Sequence, residues 1–167
     1  PVTFTGAATL SQVSDIETGV RTITITDIES NVTVTFAGTY TYDLVTEWEV
    51  TAGEATQMIY NYYYQSNFSK ILRIREGDKD IPVAFTNTFS TSGTKTLKYS
   101  FTDKTVPGSI FEKCPALCGV RVSNIVTGIG GYAFSKTSIR HFELPATVTS
   151  YGSGVLYDCL ELESVIL

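Results

Sequence analysis

An internal repeat constrains this 167-residue chain more than any other feature of its sequence. Short apolar pairs recur every 22 to 25 residues, and in each complete copy a second apolar position follows nine residues after the first. The first pairs are Leu72 with Ile74, Leu97 with Tyr99, Val120 with Val122 and Phe142 with Leu144, and a further copy opens at Val165. Because one such copy cannot bury its apolar side chains alone, the pattern predicts stacked units that share a core.

Alternation of apolar and polar residues predicts that the chain is mainly β. Residues 22–26 and 31–36 alternate valine, isoleucine or phenylalanine with threonine, as a half-buried strand requires. No window of eleven or more residues shows the apolar spacing of an amphipathic helix. We therefore expect short strands throughout.

The most regular copies carry a longer pattern that can be compared with known repeats. From Cys114 to Phe134 the sequence reads Cys-x-x-Leu-x-x-Val-x-Val, then Val-x-x-Ile-Gly-x-x-Ala-Phe. This frame resembles the BspA-like, or treponemal, class of leucine-rich repeat, and the resemblance extends over residues 69–167. It implies a stacked β-solenoid in a surface or secreted protein that adheres or binds without catalysing a reaction.

The repeat divides the chain into two predicted parts. Residues 69–167 form the leucine-rich-repeat solenoid, with an incomplete last repeat, and residues 1–68 form a β-rich N-terminal segment. That segment is interpreted either as degenerate capping repeats or as a small immunoglobulin-like domain. Within the solenoid we expect the four first pairs to be parallel neighbours in one sheet, with Phe111 and Phe134 buried between coils.

Glycines and cysteines occupy equivalent positions of successive copies. Gly130 and Gly152 fall where the chain must turn, and glycine reaches positive φ without steric cost, so we expect positive φ there. Cys114 and Cys159 are two copies apart, which at about 4.8 Å per strand puts them about 10 Å apart, beyond disulfide reach. Cys118 lies outside that position and is predicted to be the exposed cysteine.

No residue pattern predicts catalysis, a metal or a cofactor. His141 is the only histidine, so two-histidine metal sites cannot be built, and a catalytic triad would need a serine and an acid from neighbouring coils. The glycine-rich residues 128–133 mimic a dinucleotide fingerprint but recur as repeat turns. The acidic turn at residues 76–80 lacks the loop length of an EF-hand. We expect no enzymatic activity, no cofactor and no metal.

Charge and hydropathy limit the partners and the location. The net charge is −5. This disfavours nucleic acids and anionic membranes as partners, because both are negatively charged and bind positively charged protein surfaces. No stretch of 18 apolar residues predicts a transmembrane segment, and the N-terminus shows no signal peptide. The resemblance implies an extracellular or cell-surface location. Since the last copy opens at Val165 and stops, we expect a longer natural chain or self-association through the C-terminal end.

The alternation also predicts an outward column of charged side chains that could bind a ligand. Arg73, Lys98 and Arg121 would stack into a short basic stripe, with His141 and Glu143 beside it, suited to a carboxylate-bearing glycan or an acidic protein patch. The alternative is that these charges only keep the sheet soluble.

Tyrosines provide a second candidate surface. Tyr62 and Tyr64 lie in a run of aromatic residues, and exposed tyrosines offer large contact area at little cost in rotamer entropy. The alternative is that these tyrosines fill the hydrophobic core.

The overall prediction is a non-enzymatic binding or adhesion module for protein or glycan ligands. The alternative function is a structural spacer or assembly segment of a fibre or virion appendage.

Overall fold

The chain forms two compact units, residues 1–40 and 41–167, in the computed structural model. The structure describes the backbone of residues 9–15, 20–26, 32–37, 42–60 and 68–167, and the side chains of residues 42–60 and 68–167. In the first unit, strands β1 (Thr9–Asp15), β2 (Val20–Thr26) and β3 (Val32–Ala37) form an antiparallel sheet. The strands predicted from alternation, β2 and β3, are confirmed. The predicted division after residue 68 stays a prediction.

The described part of the second unit is built from strands and turns. The strands are β4 (Leu44–Val50), β5 (Ala55–Gln57), β6 (Ile71–Glu76), β7 (Lys79–Ile81), β8 (Thr86–Thr88), β9 (Gly93–Phe101), β10 (Thr105–Val106), β11 (Leu117–Val122), β12 (Gly128–Ile129), β13 (His141–Glu143), β14 (Ser150–Tyr151) and β15 (Ser164–Ile166). A seven-stranded sheet has the order β15-β13-β11-β4-β9-β6-β7, a three-stranded sheet the order β10-β12-β14, and β5 pairs with β8. The mainly β prediction is therefore confirmed.

Successive repeats pair in parallel from β10 onward. Val120, Phe142 and Val165 lie side by side in the large sheet, as the repeat register predicts. In the three-stranded sheet of β10, β12 and β14, the neighbouring residues are Val106, Ile129 and Tyr151. The turns between the sheets also stack, because backbone amides of one copy donate to carbonyls of the next, as from Phe111 to Ala133 at 2.9 Å. Left-handed residues recur at matching turn positions: Ser109, Tyr132 and Gly154, then Lys113, Lys136 and Asp158.

The two upstream copies do not follow this arrangement. Strand β9 pairs with β6 and β4, β4 pairs with β11, and all three pairings are antiparallel. The prediction that residues 72–74 and 97–99 are parallel neighbours of residues 120–122 is therefore wrong. An apolar pair spaced by two is produced by any half-buried strand, so it carries no information on strand direction. A register shift between Ile71 and Arg73 also turns Leu72 outward, where it is 63% exposed.

Aromatic side chains connect the antiparallel strands to the repeats. Phe111 is fully buried, with its ring centroid 6.0 Å from Trp48, 5.1 Å from Tyr99 and 5.5 Å from Phe134. Phe134 is also fully buried and continues the chain of rings to Phe142 at 5.4 Å. The predicted burial of Phe111 and Phe134 is confirmed. One core therefore runs through the described part of the second unit.

Close packing between copies, and not positive φ, requires glycine at two positions. Gly130 and Gly152 are not among the residues with positive φ, so that expectation is wrong. A Cβ on Gly130 would lie 2.3 Å from the amide nitrogen of Gly108, and one on Gly152 would lie 2.1 Å from that of Gly131. Real Cβ atoms do not approach backbone so closely. The backbones of adjacent copies touch here, which only glycine permits.

The three cysteines are free thiols, and their burial differs from the prediction at one position. Cys118 is buried, not exposed, because β4 covers its strand and its Sγ lies 3.3 Å from the carbonyl oxygen of Glu47. Burial raises the pKa of both Cys118 and Cys114. Cys159 Sγ lies 3.4 Å from Thr137 Oγ1, so threonine takes the cysteine position in the intervening copy.

Asp43 carries a buried carboxyl group and immediately precedes β4. Its Oδ2 accepts a hydrogen bond of 2.6 Å from the amide of Phe101, and burial raises its pKa above the ordinary 3.8 despite that bond. The folded state therefore binds the proton more readily than the unfolded state, and this residue contributes more stability as the pH falls towards 3.8.

We expect Asp43→Asn to keep the oxygen acceptor and to remove this pH dependence. At pH 7 the variant should be at least as stable as the parent, and the difference should shrink as the pH is lowered to about 4. Asp43→Ala is the control, because it leaves a buried amide without its acceptor at every pH, costing about 1–3 kcal/mol. Urea denaturation at several pH values measures the free energy of unfolding of the parent chain and of both variants. Equal pH slopes for parent and Asp43→Asn would contradict the assignment.

Candidate functional site

The outward face of the seven-stranded sheet brings several candidate residues together. Strand pairing places Arg121 beside Glu143, and Gly119 beside His141, although each pair comes from different repeats. Two cross-strand rows result. One contains Ile166, Glu143, Arg121, Val45, Lys98 and Arg75, and the other contains Ser164, His141, Gly119, Glu47 and Thr96.

A groove of about 140 Å³ lies where these rows meet, and its lining includes Glu47, Gly119, Arg121, His141 and Glu143. Gly119 creates this groove because it places no side chain between His141 and Glu47. The Glu47 side chain crosses the space, so that a Cβ on Gly119 would lie 2.8 Å from Glu47 Oε2. Three of the predicted site residues, Arg121, His141 and Glu143, therefore share one concave site.

Arg121 and Glu143 form an ion pair along the wall of the groove. Arg121 Nε lies 2.5 Å from Glu143 Oε2, and Nη2 lies 3.4 Å from Oε1. This hydrogen bonding and the carboxylate charge raise the pKa of the Arg121 guanidinium. The side chain of Arg121 is 64% exposed, so the pair contributes at most about 1 kcal/mol to stability. Its main effect is to neutralise Arg121 and to hold both side chains in place.

The predicted basic stripe is interrupted. Val45 lies between Lys98 and Arg121, because the antiparallel strand β4 separates the strands that carry them. Arg75, not Arg73, is the residue opposite Lys98.

The cations along this face already have partners. Arg73 and Arg75 both contact Asp80, at 3.5 and 3.0 Å. Lys98 Nζ lies 4.8 Å from the centre of the Tyr42 ring. This face therefore presents paired charges in place of a continuous positive surface.

His141 does have a serine and an acid beside it, both from the next repeat. Its Nδ1 lies 2.9 Å from Ser164 Oγ, and its Nε2 lies 4.0 Å from Glu163 Oε2. The second distance is too long for a hydrogen bond, and the side chains of His141 and Glu163 are both exposed. A catalytic triad needs the histidine to bridge the two groups in a fixed geometry. In the described residues, no three acidic, histidine or cysteine side chains are grouped to hold a metal.

The repeats match a known family over just over half of the chain. The BspA type leucine-rich repeat region matches residues 81–167, in six copies. The chain belongs to this family. No curated protein and no solved structure matches it significantly. The family resemblance predicted from the sequence is therefore confirmed, and all six parallel strands of the large and small sheets lie within the matched region.

Membership of the BspA-type family supports a binding module in general terms. Leucine-rich repeats stack into extended surfaces that commonly bind proteins, and the family is generally non-enzymatic. Within the part of the chain that the structure describes, no helix has the length and apolar character needed to cross a bilayer.

Sequence reasoning named three of the eight residues that line the groove, and Glu47 and Gly119 are among the five that it missed. Gly119 precedes Arg121 by two, so alternation within the BspA-type repeat could have placed it on the outward face. Glu47 lies on β4, upstream of the matched repeats, and only long-range strand pairing brings it to this site. The aromatic candidates Tyr62 and Tyr64 lie outside the described residues.

Proposed function

We propose that this protein is a non-enzymatic module of a surface or secreted protein, in which a leucine-rich-repeat solenoid binds a protein or glycan ligand. The observation that carries the proposal is the groove around Gly119, where polar and charged side chains from four strands converge. These strands rest on one buried core, so the side chains of the site are held on a rigid support. Arg73 and Lys98 extend the proposed contact surface along the same face.

A structural spacer is the second candidate. The last repeat of this chain exposes several large apolar side chains, including Leu160, Ile166 and Leu167. Val165 is also 47% exposed, whereas its equivalents in the earlier repeats, Phe142 and Val120, are buried, so this apolar surface could pack against a second copy. This supports an assembly role for that end, which is compatible with binding through the groove.

Filling the groove tests the binding proposal. We expect the purified chain to bind at least one member of an array of secreted proteins, cell-surface proteins and glycans. Gly119→Gln places a side chain in the groove and displaces the flexible end of Glu47, so binding should weaken about tenfold or more, which corresponds to about 1.4 kcal/mol. Surface plasmon resonance on the array hit measures the change.

The matched control introduces the same residue elsewhere. Lys104 is exposed and precedes β10, which belongs to the three-stranded sheet and not to the sheet that carries the groove. Lys104→Gln should therefore leave the affinity unchanged. If no array member binds, the binding function is wrong. If Gly119→Gln and Lys104→Gln bind equally well, the function stands but the groove is not its site.

A further inference from the structure

One carboxylate in the groove has no ion-pair partner. In residues 42–60 and 68–167, no hydrogen bond or ion pair reaches the side chain of Glu47. The other charged side chains that line the groove, Arg121 and Glu143, form an ion pair, and Glu47 reaches Arg121 only through a coulombic interaction. The groove therefore carries one net negative charge, which is opposite in sign to the basic stripe that the sequence predicted. This charge favours a cationic ligand.

The size of the groove limits what can enter it. A volume of about 140 Å³ corresponds to about five water molecules at ~30 Å³ each. Pockets for small-molecule ligands are usually about 300–1,000 Å³. The groove is thus too small for an oligosaccharide or a cofactor, but it has the size of a single amino-acid side chain.

The lining suits a lysine side chain in particular. Val45 lies on the outward face beside Arg121 and offers an apolar surface for the methylene stem of lysine. The ammonium group is compact and has three donors, which can be shared between the carboxylates of Glu47 and Glu143. A guanidinium is broader and would bring a second planar cation against Arg121.

We propose that the groove binds a lysine side chain presented by a protein partner, with its ammonium group on Glu47. This inference rests on the proposed binding function and narrows it to a protein ligand with a protruding lysine. Gly119 provides the space, Glu47 the charge, and the Arg121–Glu143 pair a fixed polar wall. Lysine is a frequent surface residue, so neighbouring contacts along the sheet would supply the rest of the specificity.

A titration of the full chain with a lysine mimic tests the inference directly. The probe is Nα-acetyl-lysine N-methylamide, and amide shifts in ¹⁵N–¹H spectra report its position. We expect saturable shifts centred on Gly119, with a Kd on the order of 10 mM, because exposed charge pairs contribute little binding free energy. The norleucine analogue has the same stem without the ammonium group and should cause no saturable shift.

Two variants separate the specific contact from general charge. Glu47→Gln is isosteric and should weaken the lysine probe about fivefold, as expected for loss of one exposed charge pair. Glu49→Gln is the matched control, since Glu49 lies two residues along the same strand, accepts a hydrogen bond from Thr94 and does not line the groove. It should bind the probe like the parent chain.

The possible outcomes decide between the inference and the function on which it rests. No saturable shift, equal binding of the norleucine probe, or equal loss in both variants overturns the lysine site. An array hit that depends on Gly119 but not on Glu47 keeps the binding function and overturns the lysine site. A lysine-probe response that needs Glu47 supports the site even if the array yields no partner, in which case the broader binding function is what fails.

Discussion

Phe111→Ala is expected to lower the free energy of unfolding by about 4 kcal/mol, because it removes a large side chain from the centre of the core. The Phe111 ring is fully buried and contacts Trp48 and Tyr99 of the antiparallel strands and Phe134 of the next repeat. Its removal leaves a cavity where these two parts of the core meet. Because domains are stable by only about 5–15 kcal/mol, the variant should be close to unfolding at about 37 °C.

Urea denaturation followed by tryptophan fluorescence measures this loss, since Trp48 is the only tryptophan and lies 6.0 Å from the Phe111 ring. Leu160→Ala is the control, because Leu160 is 89% exposed and its truncation should change stability by less than about 0.5 kcal/mol. A loss below about 1 kcal/mol for Phe111→Ala would show that the antiparallel strands and the repeats do not share a core.

Gly130→Ala is expected to cost about 3 kcal/mol, because the new methyl group would lie 2.3 Å from the amide nitrogen of Gly108. The contact is with backbone, so no side-chain rotation can relieve it, and the two repeats would have to separate. Gly152→Ala should behave in the same way, since its methyl group would lie 2.1 Å from the amide nitrogen of Gly131.

Gly128→Ala is the matched control for this prediction. Gly128 precedes Gly130 by two residues, but the nearest atoms to a Cβ there would be in the side chains of Thr105 and Ser150, at 3.4 to 3.5 Å. These are ordinary contacts, so the substitution should be neutral or slightly stabilising through lower backbone entropy in the unfolded chain. Thermal denaturation compares the two variants. Equal melting temperatures would mean that the repeats are not in backbone contact at Gly130.

The positions of individual residues show where sequence reasoning stops. The register of Val120 with Phe142 is predictable, because equivalent residues of consecutive repeats stack directly. Leu72 fits the same pattern but is exposed, because a register shift in β6 turns it away from the core. Cys118 is buried by a strand that precedes the repeats in sequence. A local register shift, or burial by a strand that is distant in sequence, leaves no periodic signal in the sequence.

Alternation and the repeat register together predict that Arg121, His141 and Glu143 share a face, because side chains two residues apart on a strand point the same way and equivalent residues of consecutive repeats stack. Their common groove was not predictable, since it depends on Glu47 being brought beside Gly119. The same strand also places Val45 between Lys98 and Arg121 and so breaks the predicted basic stripe. One inserted strand therefore changed the expected charge of the site from positive to negative.

The sequence by itself determined the β class, the BspA-type repeat and the parallel stacking of its later copies. These features follow from short-range periodicity, in which spacing of two residues sets the face and spacing of about 22 residues sets the neighbour. Only the tertiary structure decided the direction of β6 and β9, the place of β4 and the partner of each outward charge. Strand pairing is a long-range choice made by core packing, and antiparallel and parallel strands share the same alternation, so no local pattern distinguishes them.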